Sequence, residues 1–198
     1  MLFRSASTAF GSEIQLVRGT GRIAYFLPFG PKSLTPGVVE DQTGPALKRW
    51  FEQSSLAFGA RAGFLHSLNH SGPDEPTTLP IDERFFNGGA TSVRSFGERD
   101  LGPHDRHDYP IGGEFYTIFN VEYTFPLYGE LQGAVFVDAG NLRPDADNPD
   151  FSDMRYGIGA GLRYKLPIGP IRLDYGVNPH PREREDFGAF HFSFGFAF

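Results

Sequence analysis

Residues 113–127 read GEFYTIFNVEYTFPL. Phe115, Thr117, Phe119, Val121, Tyr123 and Phe125 share one parity, and Glu114, Tyr116, Ile118, Asn120, Glu122 and Thr124 share the other. Strict alternation over such a length is the signature of a strand, because successive side chains of an extended backbone point to opposite faces. The run is also long enough to cross a hydrocarbon layer at a tilt. One face is aromatic and aliphatic, while the other carries carboxylates and an amide.

The same pattern recurs on both sides. Downstream, Tyr128-Gly129 predicts a tight turn, and ELQGAVFVDAG (130–140) sets Leu131, Val135 and Val137 against Glu130, Gln132 and Asp138. A polar loop, 141–152, precedes MRYGIGAGLRYKL (154–166), where Tyr156, Ile158, Ala160, Leu162 and Tyr164 oppose Arg155, Arg163, Lys165 and three glycines. Pro167-Ile168-Gly169-Pro170 predicts a turn, since proline has no ladder donor. IRLDYGV (171–177) puts Ile171, Leu173, Tyr175 and Val177 opposite Arg172, Asp174 and Gly176. After the charged loop NPHPREREDF, the chain ends on GAFHFSFGFAF, with Phe190, Phe192, Phe194, Phe196 and Phe198 on one face and His191 on the other. Upstream, residues 2–10 alternate poorly and 30–47 read as a loop. In 13–28, Val17, Ile23, Tyr25 and Leu27 oppose Arg18 and Arg22; in 53–67, Leu56, Phe58 and Phe64 oppose Gly59, Arg61 and Gly63.

The 198 residues suffice for one domain, and a net charge of −6 with a pI near 5.5 argues against a nucleic-acid partner. Cysteine is absent, which removes disulfides, thiolate metal sites and a cysteine nucleophile. The chain holds 21 Phe and 25 Gly at a mean hydropathy of −0.31, without any apolar run of transmembrane-helix length. A membrane β-barrel reconciles these facts, because its strands show lipid only every second side chain. A soluble β-sandwich also alternates, but five Phe in a row on one strand face fit lipid better than a core of mixed volumes. Met1–Phe10 lacks the apolar core of a signal peptide, so an outer-membrane destination implies a longer precursor or a trimmed start.

Between the alternating segments lies LPIDERFFNGGATSVRSFGERDLGP, residues 79–103, too rich in charge and glycine for a strand. It reads as part of a long loop, 79–112, folded inward to present Arg94 to acidic residues on the walls. Glu122 and Asp138 both fall on the inward parity, and a guanidinium can bond two carboxylates through its planar fork. Other chemistry is weakly signalled. His104, Asp105, His107 and Asp108 lack zinc-like spacing, and GGATS lacks the lysine and helix of a phosphate loop. No nucleophile elbow is present. No metal, cofactor or enzymatic activity is expected.

Four stretches then carry a resemblance: RFFNGGATSVRSF (84–96), VEYTFPL (121–127), VFVDAGN (135–141) and YGIGAGLRYKLPIGPIRLDYG (156–176). Collinear and correctly spaced, they make the chain similar to the C-terminal half of the barrel of BamA-like proteins, the bacterial surface antigen family. The terminal FHFSFGFAF resembles the family's sorting signal, placing Phe190, Phe192, Phe194, Phe196 and Phe198 in it. The resemblance implies an all-β, antiparallel transmembrane barrel in a bacterial outer membrane. About eight strands of a sixteen-stranded architecture would lie in residues 1–198, a single barrel domain without the family's periplasmic POTRA domains. It also implies that Val93, Arg94, Ser95 and Phe96 form the tip of the lumen loop, with Glu122 and Asp138 as partners of Arg94. The family has Gly where this chain has Ser95, so strain at the tip is expected if that Gly serves a positive φ or a close approach.

Eight strands leave two bare edges, and unpaired backbone is costly in hydrocarbon. The piece closes alone, pairs with a second copy, or belongs with further strands of a longer parent. An eight-stranded interior is filled by side chains, so closure alone would exclude the loop. The expected role is insertion or translocation of proteins at the outer membrane, with membrane lipids and unfolded outer-membrane or secreted proteins as partners. The alternatives are a passive pore or secretion channel, and a membrane anchor for a lipase-like domain.

Overall fold

A computed structural model describes residues 2–6, 16–30, 45–67, 79–146, 151, 153–164, 166 and 170–195. The chain forms one antiparallel sheet in which every strand pairs with its sequence neighbour, β1 through β8. The strands are β1 (Leu2–Ala6), β2 (Leu16–Pro28), β3 (Ser55–Ser67), β4 (Phe115–Tyr128), β5 (Leu131–Arg143), β6 (Arg155–Tyr164), β7 (Ile171–Val177) and β8 (Gly188–Phe194). Among the described residues no ladder joins β1 to β8, so the sheet is open and has two edges. The long loop lies against one face of this open sheet, an arrangement that closure into eight strands would not accommodate.

The alternation becomes continuous rows once the strands pair. Tyr25, Phe58, Val121, Val137, Ile158 and Val177 are successive register partners across β2 to β7. Val135, Ala160, Tyr175 and Phe190 form a parallel row, as do Leu162, Leu173 and Phe192. These side chains are largely exposed; Phe190 and Phe192 show 65% and 66% of their surface. So broad an uncovered apolar band is foreign to a soluble surface and suits acyl chains. Phe194 shares the exposed face, whereas Phe196 and Phe198 lie outside the described residues.

The opposite face is packed. Leu16, Leu65 and Leu142 of the wall meet Leu79, Phe85, Val93, Phe96 and Leu101 of the loop in a common apolar cluster. Arg84 ties the loop's two ends together, donating to the Leu79 carbonyl from Nε (3.0 Å) and Nη2 (2.7 Å) and to Ile111 O from Nη1 (3.0 Å).

Two local features differ from the alternation. Thr117 shares the outward parity but is buried, its N–H and Oγ1 both donating to Oδ1 of its register partner Asn141. The β5–β6 connection covers that end of the face: Met154 reaches Thr117, and Phe151 packs edge-on against Phe115. The second difference is α1 (Ala46–Glu52), which overlaps the end of the expected 30–47 loop; residues 31–44 lie outside the described residues. It packs on the apolar face, where Trp50 meets the rings of Tyr123 and Phe125 and donates from Nε1 to Pro126 O at 3.1 Å. Tertiary ring contacts hold this short helix, whose seven residues, about two turns, give little intrinsic stability.

Candidate functional site: a loop tip held by four strands

Arg94 is the centre of the packed face and is 1% exposed. Its fork is matched by Asp138 of β5: Nε donates to Oδ2 at 2.8 Å and Nη2 to Oδ1 at 2.8 Å. The Arg94 backbone N–H donates to the same Oδ2 at 3.0 Å, so Asp138 fixes main chain and side chain together. Nη1 donates to Glu122 Oε2 of β4 at 2.5 Å and lies 3.8 Å from Asp174 Oδ2 of β7. The guanidinium carbon sits 3.5 Å from the centroid of the Phe136 ring, whose π face adds attraction. From β8, the His191 Nε2–H donates to the Arg94 carbonyl at 3.1 Å. Four strands reaching one residue means that the sheet is concave around the tip.

The surroundings extend the cluster. Arg163 of β6 donates to Glu122 from Nε (3.2 Å) and Nη2 (3.0 Å), and its Nη1 lies 2.6 Å from Asp174 Oδ1. Arg172 Nη2 donates to Asp174 Oδ2 at 2.9 Å. Arg163 and Arg172 are register partners, and like charges directly opposite repel. Glu122 and Asp174 sit between them and offset that repulsion. Asn120 completes the shell, donating from Nδ2 to Asp138 Oδ1 at 2.8 Å and to Ser92 O at 2.7 Å. Buried ions are tolerable only with compensating partners of this kind.

Arg94, Glu122 and Asp138 are thus in contact, with Val93, Ser95 and Phe96 buried beside them. Asp174, Arg163, Arg172 and His191 were not singled out from the sequence. Their signal was parity, since each falls on the inward face of its strand.

Ser95 takes no positive φ; among described non-glycine residues only Arg99 and Asp108 do. The close approach is present, and the wall supplies the room for it. A Cβ on Gly176 would sit 2.7 Å from Ser95 N and closer still to the Arg94 carbonyl; one on Gly157 would meet Ser95 Oγ at 2.6 Å. The hydroxyl uses the space, donating to Tyr156 O at 3.1 Å.

The histidines of the loop have local roles. His104 Nδ1 lies 3.0 Å from Gly102 O, and its Nε2 lies 3.3 Å from Asp100 Oδ1. Asp105 accepts from the N–H groups of Tyr109 (2.9 Å) and His107 (2.8 Å), and the Tyr109 bond chiefly holds its carboxyl below the usual range. Among the described residues no three potential metal ligands converge.

Comparison with known proteins places the chain. Outer envelope protein 80, chloroplastic, of Arabidopsis thaliana is 29% identical over 170 residues, covering 78% of this chain and 21% of the relative. Outer membrane protein assembly factor BamA of Nitratidesulfovibrio vulgaris is 32% identical over 123 residues, covering 59% of this chain and 16% of the relative. The crystal structure of BamA from Haemophilus ducreyi lacking POTRA domains 1–3 superposes with a TM-score of 0.66 at 18% identity, covering 92% of this chain and 35% of that one. That likeness speaks to the fold. The chain spans well under half the length of each of these proteins. The Omp85 superfamily domain matches residues 2–198, and the chain belongs to that superfamily.

Proposed function

We propose that this chain is the barrel portion of an outer-membrane protein-assembly factor, in a bacterial outer membrane, and that residues 1–198 act as one barrel domain. The observation that supports this most directly is the position of the Arg94 tip. It is bonded to β4, β5 and β8 beside an edge strand with no partner on its far side among the described residues. An assembly factor of this type needs two opposed properties. A seam must offer unpaired N–H and C=O groups to an incoming strand, and the adjoining wall must not collapse when that seam opens. The β8 edge supplies the first, and the network joining Val93–Phe96 to Glu122 and Asp138 supplies the second. Lipids contact the apolar rows, and unfolded outer-membrane proteins are the substrates. When the seam is closed, the strands that cover β1 and β8 come from a second copy or from the same polypeptide.

The test is reconstitution. Liposomes carrying the chain should accelerate folding of a denatured outer-membrane barrel, read by its heat-modifiable gel shift. Equal folding rates in empty liposomes would reject the assignment.

A further inference from the structure

The sheet sets arginine opposite arginine in three places, Arg4–Arg18 in β1–β2, Arg22–Arg61 in β2–β3 and Arg163–Arg172 in β6–β7, and the last two pairs are treated differently. Arg163 and Arg172 are bridged by Glu122 and Asp174. Arg22 of β2 and Arg61 of β3 are also register partners, on the same inward parity. No ion pair joins either to a carboxylate among the described residues. Side chains so placed have Cβ atoms about 4.5–5.5 Å apart, a destabilising arrangement for like charges. Arg61 Nη2 donates to the Thr91 carbonyl of the loop, but among the described residues its buried Nε has no partner.

Both arginines line an open cavity of about 690 Å³ between β2, β3 and the loop. Arg18, Arg84 and Arg99 also line it, against one carboxylate among the described residues, Glu98. Their donors are partly spent: Arg84 on backbone carbonyls, Arg18 beside Glu83 at 3.6 Å, and Arg99 over the Phe86 ring. Among the described residues Arg22 and Arg61 are lining cations without an ion-pair partner. In a chain of net charge −6, this concentration of positive charge is local.

We infer that the cavity between β2–β3 and the loop is a binding site for an acidic segment of a polypeptide, with a carboxylate held between Arg22 and Arg61. A guanidinium pair facing one cavity matches carboxylate geometry through parallel N–H donors. Phe86, Tyr116 and Ile118 add apolar and aromatic surface to the same lining, which a bare inorganic anion would leave unused. The site opens on the packed face and away from the lipid-facing rows, so acyl chains do not reach it. The choice of a polypeptide rests on the function proposed above.

The test uses the full chain in detergent micelles and a fluorescent peptide alternating Glu with Phe, read by anisotropy. Binding should weaken as salt rises. Arg22→Gln should cost about tenfold or more in affinity, the equivalent of one lost charge-assisted contact. Arg22→Glu should abolish binding and raise thermal stability, since it gives Arg61 an internal partner. Among the described residues the Arg22 side chain has no hydrogen bond to lose, and retained strand content by circular dichroism confirms that the variants fold. Equal affinity for Arg22→Glu, or equal binding of a Lys–Phe peptide, would overturn the inference. So would Arg22-dependent binding of tripolyphosphate without binding of the acidic peptide. Peptide binding is measured without an assembly reaction, so the two readings fail separately. A chain that binds peptide through Arg22 but accelerates no folding overturns only the assembly role. One that accelerates folding without Arg22-dependent binding overturns only this site.

Discussion

Ser95 Oγ donates to the carbonyl of Tyr156 at 3.1 Å, directly beside Gly157, which has no side chain to obstruct it. The tip therefore depends on a small residue of the wall as much as on its own sequence. Gly157→Ala would bring a methyl to 2.6 Å from Ser95 Oγ and 3.0 Å from its Cβ. Overpacking of this kind costs about 1–3 kcal/mol. The expected outcome is a lower melting temperature in micelles, largely restored in the double variant with Ser95→Gly. Absence of that rescue would show that the pair is not the cause.

Arg94→Ala should be more damaging. It strips the fork from Asp138, which is 0% exposed, and leaves that carboxylate buried without its main partner. Loss of one member of a buried pair costs about 3–5 kcal/mol. Arg94→Lys should recover little, because one ammonium cannot reproduce two parallel bonds to Asp138 while reaching Glu122. Unfolding in urea with intact micelles measures both, and a lysine variant as stable as the parent would contradict the bidentate account.

Acid should loosen the end of the sheet where the β5–β6 and β7–β8 connections meet. Arg182 bonds Asp153 there, and chiefly through that hydrogen bond holds the carboxyl below its ordinary range. A depressed carboxylate contributes stability above its unfolded pKa and loses it as pH falls through the folded value. Hydrogen exchange in 179–187, corrected for intrinsic rates, should rise below about pH 4. Asp153→Asn should show the faster exchange already at neutral pH. The pair is partly exposed, so the effect is small and local.

Trp50 is the only tryptophan, which makes α1 directly observable. Its ring lies on Tyr123 and Phe125 near the end of β4, with Leu47 and Phe51 of the same helix exposed. That placement is an interfacial one, where amphipathic rings anchor a barrel. Lipids brominated near the headgroup should quench its emission more than lipids brominated deep in the chain. Quenching by aqueous iodide alone would place α1 in water.

Much of this architecture could be read in advance because strand parity is a local property. The run 171–177 has the same limits in sequence and structure, and 154–166 and 113–127 differ only at their ends. Arg94 was legible for the same reason, since Glu122 and Asp138 share a face. Asp174 and His191 were less so: their parity was plain, but only the concavity of the sheet brings β7 and β8 to a tip already met by β4 and β5. Helix α1 was hidden because its seven residues depend on rings supplied by distant strands. Thr117 departs from its parity because a loop covers the end of a face that alternation treats as uniform.

The meeting of three carboxylates with three guanidinium groups at one point has a further effect during folding. Sliding β4, β5, β6 or β7 by a single step past its neighbour turns its charged member toward the acyl chains and leaves the others mismatched. Only one alignment of these four strands lets the tip dock, so the buried ions act as a checksum that rejects misthreaded sheets before they become trapped in the bilayer.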